Sequence, residues 1–389
     1  MSMKRVLLLG AGKIGGMIAR FLSDSGDYAV CVADADRAAL ARLEAQIPGI
    51  KTRSIDAENP ADLEGAMAGQ EIALSALSFR HNPAVAQAAL ESGASYFDLT
   101  EDIATTQAVR QIAEKSRPGQ IFMPQCGLAP GFVSIAAAHL AAWFDTVDSV
   151  RMRVGALPLF PSNALKYNLT WSTDGLINEY CNRCEAIHDG RRMELLPLEG
   201  REEFSLDGVR YEAFNTSGGL GTLCETLEGR VKSLDYKTIR YIGHRDLVDL
   251  LLNELRLRER RSLLKEILES ALPMTYQDVV VVFCTATGQR KGRFVQKSDA
   301  RKIYHRQIAG EEWSAIQITT AAGICAAVDL HVAGRLPSRG FVRQEEIDFN
   351  EFLGNRFGRH YAADRHVEFG VERHVVNGPL PESPAAVPD

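Results

Sequence analysis

At 389 residues the chain is long for one domain and comfortable for two, with ample material for a core. A 46% hydrophobic and 24% charged composition is that of a globular protein, and a net charge of -6 gives no reason to expect nucleic acid or an anionic membrane as partner. Seven cysteines, an odd number scattered over a large chain, point to free thiols and not to a disulfide framework. The apolar run after Lys4 and Arg5 is too short for a signal-peptide core, and no run approaches the ~20 apolar residues that span a bilayer. The expected location is the cytoplasm.

The chain opens with a strand, Arg5–Leu9, that breaks into Gly10-x-Gly12-x-x-Gly15 and continues as a helix carrying Ile14, Ile18, Phe21 and Leu22. A second strand, Tyr28–Ala33, ends in Asp34. Strand, glycine turn, helix and acid in this order form a dinucleotide-binding fingerprint. Gly10 turns the chain, Gly12 lets backbone approach a pyrophosphate, and Gly15 lets helix and strand pack closely. The phosphates then meet free N–H groups at the helix start, near Lys13 and Ile14. Asp34 can accept both ribose hydroxyls and would repel a 2′-phosphate, so NAD is the expected cofactor.

Strand and helix signals keep alternating. Helices are expected at Arg37–Gln46, Ala61–Met67, Pro83–Glu91 and Thr105–Lys115, and strands at Ile50–Ile55, Glu71–Leu77, Ser95–Leu99 and Ile121–Pro124. Six such units predict a doubly wound parallel α/β sheet of the Rossmann kind. Ligands sit beyond the carboxyl ends of its strands. That places Ser75–Ser78 (with Ala76 and Leu77), Asp98–Asp102 (with Leu99 and Thr100) and Gln125–Gly131 around the nicotinamide end, and adds Asp56 to the cofactor residues.

From about Val133 the pattern changes. A helix, Ser134–Trp143, leads to strands at Ser149–Leu157, Tyr211–Phe214, Lys232–Tyr241 and Asp278–Thr287, with a charged helix over Arg245–Glu269. Strands with few helices between them suggest an inserted α+β domain on a mixed or antiparallel sheet. A small-residue helix over Ser314–Val332 would pack back on the first domain. The expected division is 1–132 plus 314–375 for the cofactor domain, 133–313 for an inserted substrate and homodimer domain, and a Pro-rich disordered tail over 376–389. Cys181-x-x-Cys184 has no second ligand pair and reads as two helix thiols, with no metal expected.

Asn163–Leu176, NALKYNLTWSTDGL, resembles a segment of the saccharopine dehydrogenase superfamily. Gly127-Leu128-Ala129-Pro130-Gly131 is similar to its G-L/V-x-P-G turn, and Thr238–His244, TIRYIGH, to its T-x-R-Y-x-G-H/F strand end. Ala213–Gly219, AFNTSGG, and Tyr236-Lys237-Thr238 are most similar to its lysine 6-dehydrogenase branch. Cys126 and Ser78-Phe79-Arg80-His81, beside the expected nicotinamide, depart from that branch.

The resemblance implies an NAD-dependent oxidoreductase acting on the C–N bond of an amino acid, of the lysine 6-dehydrogenase kind, with a small-molecule amino acid as its partner. A glutamate-forming saccharopine dehydrogenase is the alternative enzyme, and a non-catalytic NAD-binding regulatory protein the alternative outside enzymes. Hydride loss from an amine carbon requires a neutral amine, so a pocket must desolvate it or offer a base. Candidate catalytic residues are Lys237 and His244; candidate substrate residues are Tyr167, Asn168, Trp171, Thr216 and Arg240. Arg240 is the choice for a carboxylate anchor, because its planar guanidinium can bind bidentately. Each has a plainer reading: Lys237 and Arg240 as solvated strand residues, Tyr167 and Trp171 as core aromatics, His244 as a surface histidine, Asp98 as a helix cap. In a regular strand Lys237 and Arg240 face opposite sides, so both do not easily line one pocket. Ser217-Gly218-Gly219 is either a plain turn or a backbone carboxylate site.

Overall fold

The structure is a computed structural model that describes residues 3–362. The Pro-rich tail expected over 376–389 lies outside the described residues. Six strands, β1 (Lys4–Leu9), β2 (Tyr28–Asp34), β3 (Lys51–Ser54), β4 (Ile72–Ser75), β5 (Ser95–Asp98) and β6 (Ile121–Met123), alternate with helices Lys13–Asp24, Arg37–Gln46, Pro60–Met67, Asn82–Ser92 and Ile103–Ala113. The strands pair in parallel in the order β6-β5-β4-β1-β2-β3. The order reverses beside β1, which opens a crevice at the carboxyl ends of β1 and β4. Val6, Leu7, Leu8 and Leu9 are all fully buried, as a strand covered on both faces requires.

Helix Phe132–Ala142 leads into the second layer of strands: β7 (Thr146–Pro158), β8 (Cys184–His188), β9 (Arg191–Leu195), β10 (Glu202–Leu206), β11 (Val209–Asn215), β12 (Ser233–Tyr241), β13 (Asp278–Arg290) and β14 (Arg293–Tyr304). Their main path runs β10-β11-β12-β7-β13-β14, with β8 and β9 attached beside β12. The β12–β7 pair is parallel and its neighbours are antiparallel, so the sheet is mixed. A small hairpin, β15 (Arg306–Ile308) and β16 (Glu311–Trp313), precedes helix Ala315–Val332. The chain then returns to the first sheet as β17 (Gly340–Phe341), parallel to β6. Helix Ala315–Val332 is apolar and long enough to cross a membrane, but it is mostly buried, in one core cluster with residues of both sheets.

Two expectations fail locally. The charged helix over Arg245–Glu269 is broken into His244–Asp249, a wide turn Leu250–Glu254, a short turn Leu257–Glu259 and Arg261–Ala271. Its buried residues Val248, Leu252, Leu257, Leu264 and Leu268 include a five-residue step that a regular helical stripe does not carry, and Arg256 takes a left-handed φ of 56° where the helix stops. Cys181 ends helix Thr173–Cys181, whereas Cys184 begins β8, so they are not two thiols of one helix. Among the described residues no group of His, Cys, Asp or Glu is arranged to hold a metal ion.

Candidate active site

The cofactor turn is built from backbone. Gly10 has φ of 105°, and a Cβ on Gly15 would sit 1.9 Å from the Gly10 carbonyl oxygen, so neither position accepts a side chain. Gly12 is different: a Cβ there meets nothing within 4 Å. It caps a twelve-residue helix without any side-chain hydrogen bond, leaving its first N–H groups free for an anion. The Asp34 carboxylate accepts from Ala11 N at 2.6 Å and Asp36 N at 2.8 Å, which aims it across the turn. Asp34, Asp56, Glu58, Leu77, Arg80 and His81 line a hollow of about 570 Å³ beside it. Arg80 and His81 therefore stand at this end and not beside the nicotinamide position as expected. Glycines, free helix start and acid together fit a dinucleotide.

A second cleft opens between the two sheets. Its first wall comes from the cofactor domain: Ile14, Ala76, Leu77, Ser78, Phe79, Leu99, Thr100 and Glu101. The turn Gly127–Pro130 forms its floor with Ile316 and Thr320. Its second wall comes from Val154–Ala156 of β7, Trp171, Ser172, Glu179, and Tyr236, Thr238 and Arg240 of β12. Strand alternation selects that last set: residues 236, 238 and 240 share one face.

Arg240 is 3% exposed and held by several partners. Its Nε donates to Tyr180 Oη at 2.8 Å, its Nη1 to the Ile239 carbonyl at 2.9 Å, and its Nη2 lies 3.7 Å from Glu179 Oε2. The guanidinium also stacks 4.8 Å over the Tyr167 ring. Trp171 Nε1 donates to Tyr167 Oη at 2.9 Å, tying the cleft wall to that ring. Glu179 Oε2 is buried and has no hydrogen-bond partner. Burial first, and the charge of Glu101 second, push the Glu179 carboxyl up to about 7 against the pull of Arg240. Glu101 is likewise pushed up to about 7, chiefly by burial, with Asp102 and Asp98 adding and an Asn178 hydrogen bond opposing. These two acids had no role assigned from sequence.

The other expected residues divide clearly. Lys237 faces away from the cleft, donating to the Gly200 carbonyl at 2.6 Å and pairing with Glu202 at 2.9 Å, so a catalytic role is not available to it there. His244 is buried behind Arg240, not in the cleft. Its Nδ1 lies 2.7 Å from the Leu165 carbonyl and so carries the proton, and its Nε2 accepts from Tyr180 Oη at 3.0 Å. Burial lowers its pKa to about 3, which keeps it neutral. It positions Tyr180 and, through it, Arg240. Thr216 sits one layer back, 2.9 Å from the Thr238 hydroxyl. Asn168 is buried without lining the cleft, and its Oδ1 has no hydrogen-bond partner.

Asp98 is a structural clamp that accepts from Thr100 N, Gln125 N and Tyr96 Oη, joining the ends of β5 and β6. Lys13 offers its backbone carbonyl to Gln317 at 3.1 Å. Cys126 is fully enclosed, with Gln344 Nε2 at 3.1 Å from its sulfur. Gly218 and Gly219 serve close approach: a Cβ on Gly218 would stand 2.9 Å from the Glu101 carbonyl oxygen, and one on Gly219 would stand 2.3 Å from the Tyr236 ring.

Two family models match the chain in succession. The saccharopine dehydrogenase NADP binding domain matches residues 6–123, and the saccharopine dehydrogenase C-terminal domain matches residues 127–358. The chain belongs to the saccharopine dehydrogenase family. Its first domain is of the pyridine-nucleotide-binding kind. It is similar to the saccharopine dehydrogenase [NADP(+), L-glutamate-forming] of Saccharomyces cerevisiae, 27% identical over 201 residues, covering 48% of this chain and 43% of the relative. The Schizosaccharomyces pombe protein of the same name is 26% identical over 213 residues, covering 50% and 44%. The chain thus matches under half the length of these curated relatives. A solved structure of apo saccharopine dehydrogenase (L-Glu forming) from Saccharomyces cerevisiae shares the fold, with a TM-score of 0.74 at 16% identity, covering 90% of this chain and 95% of that one.

Proposed function

We propose that this chain is a pyridine-nucleotide-dependent oxidoreductase that oxidises the side-chain amine of a basic amino acid, with L-lysine as its substrate. The observation that carries this reading is the charge of the cleft: among the described residues lining it, Arg240 is the one Lys or Arg, and it shares the cleft with two carboxyls, Glu101 and its partner Glu179. Lysine brings one carboxylate and two amines. Saccharopine brings three carboxylates, which one guanidinium beside two acids does not balance. The resemblance of AFNTSGG and YKTIRYIGH to the lysine 6-dehydrogenase branch supports the same choice.

The bound nicotinamide supplies the hydride acceptor. The protein's part is to hold the amino acid between Arg240 and the opposite wall, exclude water with Trp171, Leu128 and Ile316, and take a proton from the amine. Loss of hydride from the neutral amine carbon leaves an iminium ion, water adds, ammonia leaves, and the semialdehyde closes on its own α-amine as a six-membered imine. NAD is the expected cofactor, because Asp34, Asp56 and Glu58 outnumber Arg80, the one Lys or Arg among the described residues lining that hollow, and would repel a 2′-phosphate. The names of the relatives favour the second reading, a glutamate-forming saccharopine dehydrogenase working with NADP. Reduced-nucleotide formation, followed spectrophotometrically for L-lysine and for saccharopine with each nucleotide, separates the two. Oxidation of saccharopine with release of glutamate, and inert lysine, would establish the second.

A further inference from the structure

From the same cleft, and resting on its reading as an amine-oxidising site, we infer a division of labour between its acids. Arg240 and Glu179 together bind the α-carboxylate and α-ammonium of the substrate, and Glu101 is the base that takes the proton from its side-chain amine. The first half follows from spacing. Arg240 Nη2 and Glu179 Oε2 lie 3.7 Å apart, and the carboxylate and ammonium of an α-amino acid leave one carbon, so a single amino-acid head can bridge the pair. Glu179 Oε2 is buried without a hydrogen-bond partner, an arrangement that costs free energy unless a ligand donor completes it. Tyr180, His244 and Leu165 fix the guanidinium from behind, so it meets the ligand already oriented.

The second half follows from which domain carries Glu101. It continues Leu99 and Thr100, on the cofactor side of the cleft, where the reacting carbon must come to lose hydride. Glu179 stands on the substrate side, in helix Thr173–Cys181. Two glycines of the inserted domain pack close to Glu101, Gly175 also lying against the Trp171 ring. A Cβ on Gly175 would lie 3.1 Å from Glu101 Oε1, and one on Gly218 3.1 Å from Glu101 Cβ. In the step itself an N–H bond of the side-chain ammonium breaks and an O–H bond forms on Glu101. The electron pair stays on nitrogen, and the neutral amine then supports hydride loss to the pyridine nucleotide. Charged groups acting on Glu101 are Asp98 and Asp102 of its own segment and Glu179 of the helix, while Arg240 and Tyr236 of β12 line the same cleft. Raised by burial to about 7, the Glu101 carboxyl is a stronger base than an exposed one and still ionises near neutral pH.

The test uses the full chain and two probes, L-lysine and L-norleucine, which has the same head and length but no side-chain amine. Glu101→Gln should lower kcat for L-lysine by about 100-fold or more, the range of a lost general base. It should leave L-norleucine binding to the nucleotide-free protein within about twofold, since that ligand has no proton to give. Glu179→Gln should weaken both probes by about tenfold or more, the loss of a charged hydrogen bond, and raise KM more than it lowers kcat. Infrared difference spectra of the free protein should show protonated carboxyl absorption titrating near pH 7, reduced in each variant. If L-norleucine binds Glu179→Gln as it binds the unmodified protein, or Glu101→Gln turns over within a few-fold of it, the division is wrong. If the unmodified protein binds L-norleucine but oxidises no amine, the reaction assigned to the cleft fails while the head-binding half stands.

Discussion

The two ends of this site are built by different means. At the nucleotide end the working groups are backbone N–H groups and absent side chains: Gly10, Gly12 and Gly15 lie within six residues, with Asp34 reached across one neighbouring strand. At the end proposed for the amine the groups lining the cleft are buried charges. Arg240 comes from β12, Glu179 from a helix sixty residues earlier, and Glu101 from the other domain. A backbone site is a local object and depends little on what packs around it. A side-chain site depends on register, on helix docking and on a shell of partners that holds each charge.

Substitution of Arg240 gives the sharpest contrast between the ends. Arg240→Lys keeps the charge but loses the Nε bond to Tyr180 and the planar stack on Tyr167. The shorter-reaching ammonium also loosens the pair with Glu179. A charged hydrogen bond is worth about 1.5–3 kcal/mol, and the bidentate fork is lost with it, so kcat/KM for L-lysine should fall about 100-fold. Nucleotide affinity, measured by titrating protein fluorescence, should change little. If turnover survives the substitution, Arg240 is a packing residue and the amine end lies elsewhere.

That contrast also explains what was legible from the sequence. The parallel sheet, the glycine turn and Asp34 could be read directly, because each rests on contiguous pattern. Strand alternation separated Arg240 from Lys237. Glu101 was within the segment assigned to the nicotinamide end but looked like any acid before a helix. Glu179 was hidden in Thr173–Cys181, a nine-residue helix given no bounds from sequence, although Cys181 read as a helix thiol. Nothing in its own neighbourhood tells that its carboxyl is enclosed; only the docking of that helix under Arg240 does. Strands β9, β10 and β14 were missed for a related reason, since their exposed, charged faces carry no apolar run. The Gly218-Gly219 pair was visible as a motif, yet its cause is contact with Glu101 and Tyr236, groups distant in sequence.

At the nucleotide end the matching substitution is Asp34→Ser. A carboxylate that accepts ribose hydroxyls is replaced by a short hydroxyl, and the repulsion of a 2′-phosphate is lowered. Loss of charged hydrogen bonds costs about 1.5–3 kcal/mol, so KM for NAD should rise roughly tenfold or more. KM for NADP should fall or stay level, and kcat with L-lysine should hold within a few-fold once nucleotide saturates. If the unmodified protein uses both nucleotides with equal efficiency, Asp34 does not discriminate. Asp56 and Glu58 remain beside it in the variant, so reversal of preference is expected to be partial.

Lys237 should give the smallest effect and test the face assignment itself. It neighbours Thr238 in sequence and lies three residues from Arg240, yet its ammonium turns to Glu202, which is also paired with Arg153. The Lys237–Glu202 pair is partly exposed at its acidic end, and Arg153 keeps Glu202 neutralised when the lysine is removed. Lys237→Gln should therefore lower stability by only about 1 kcal/mol, read as a small shift in the denaturant midpoint. Turnover of L-lysine should stay within about twofold, since nothing in the cleft is touched. The pH dependence of kcat/KM should also keep its position, because the groups that titrate there, Glu101 and Glu179, lie on the other face of β12. A large fall in kcat with unchanged stability would mean that β12 presents Lys237 to the substrate during turnover, and the alternation that selects Tyr236, Thr238 and Arg240 would have to be abandoned.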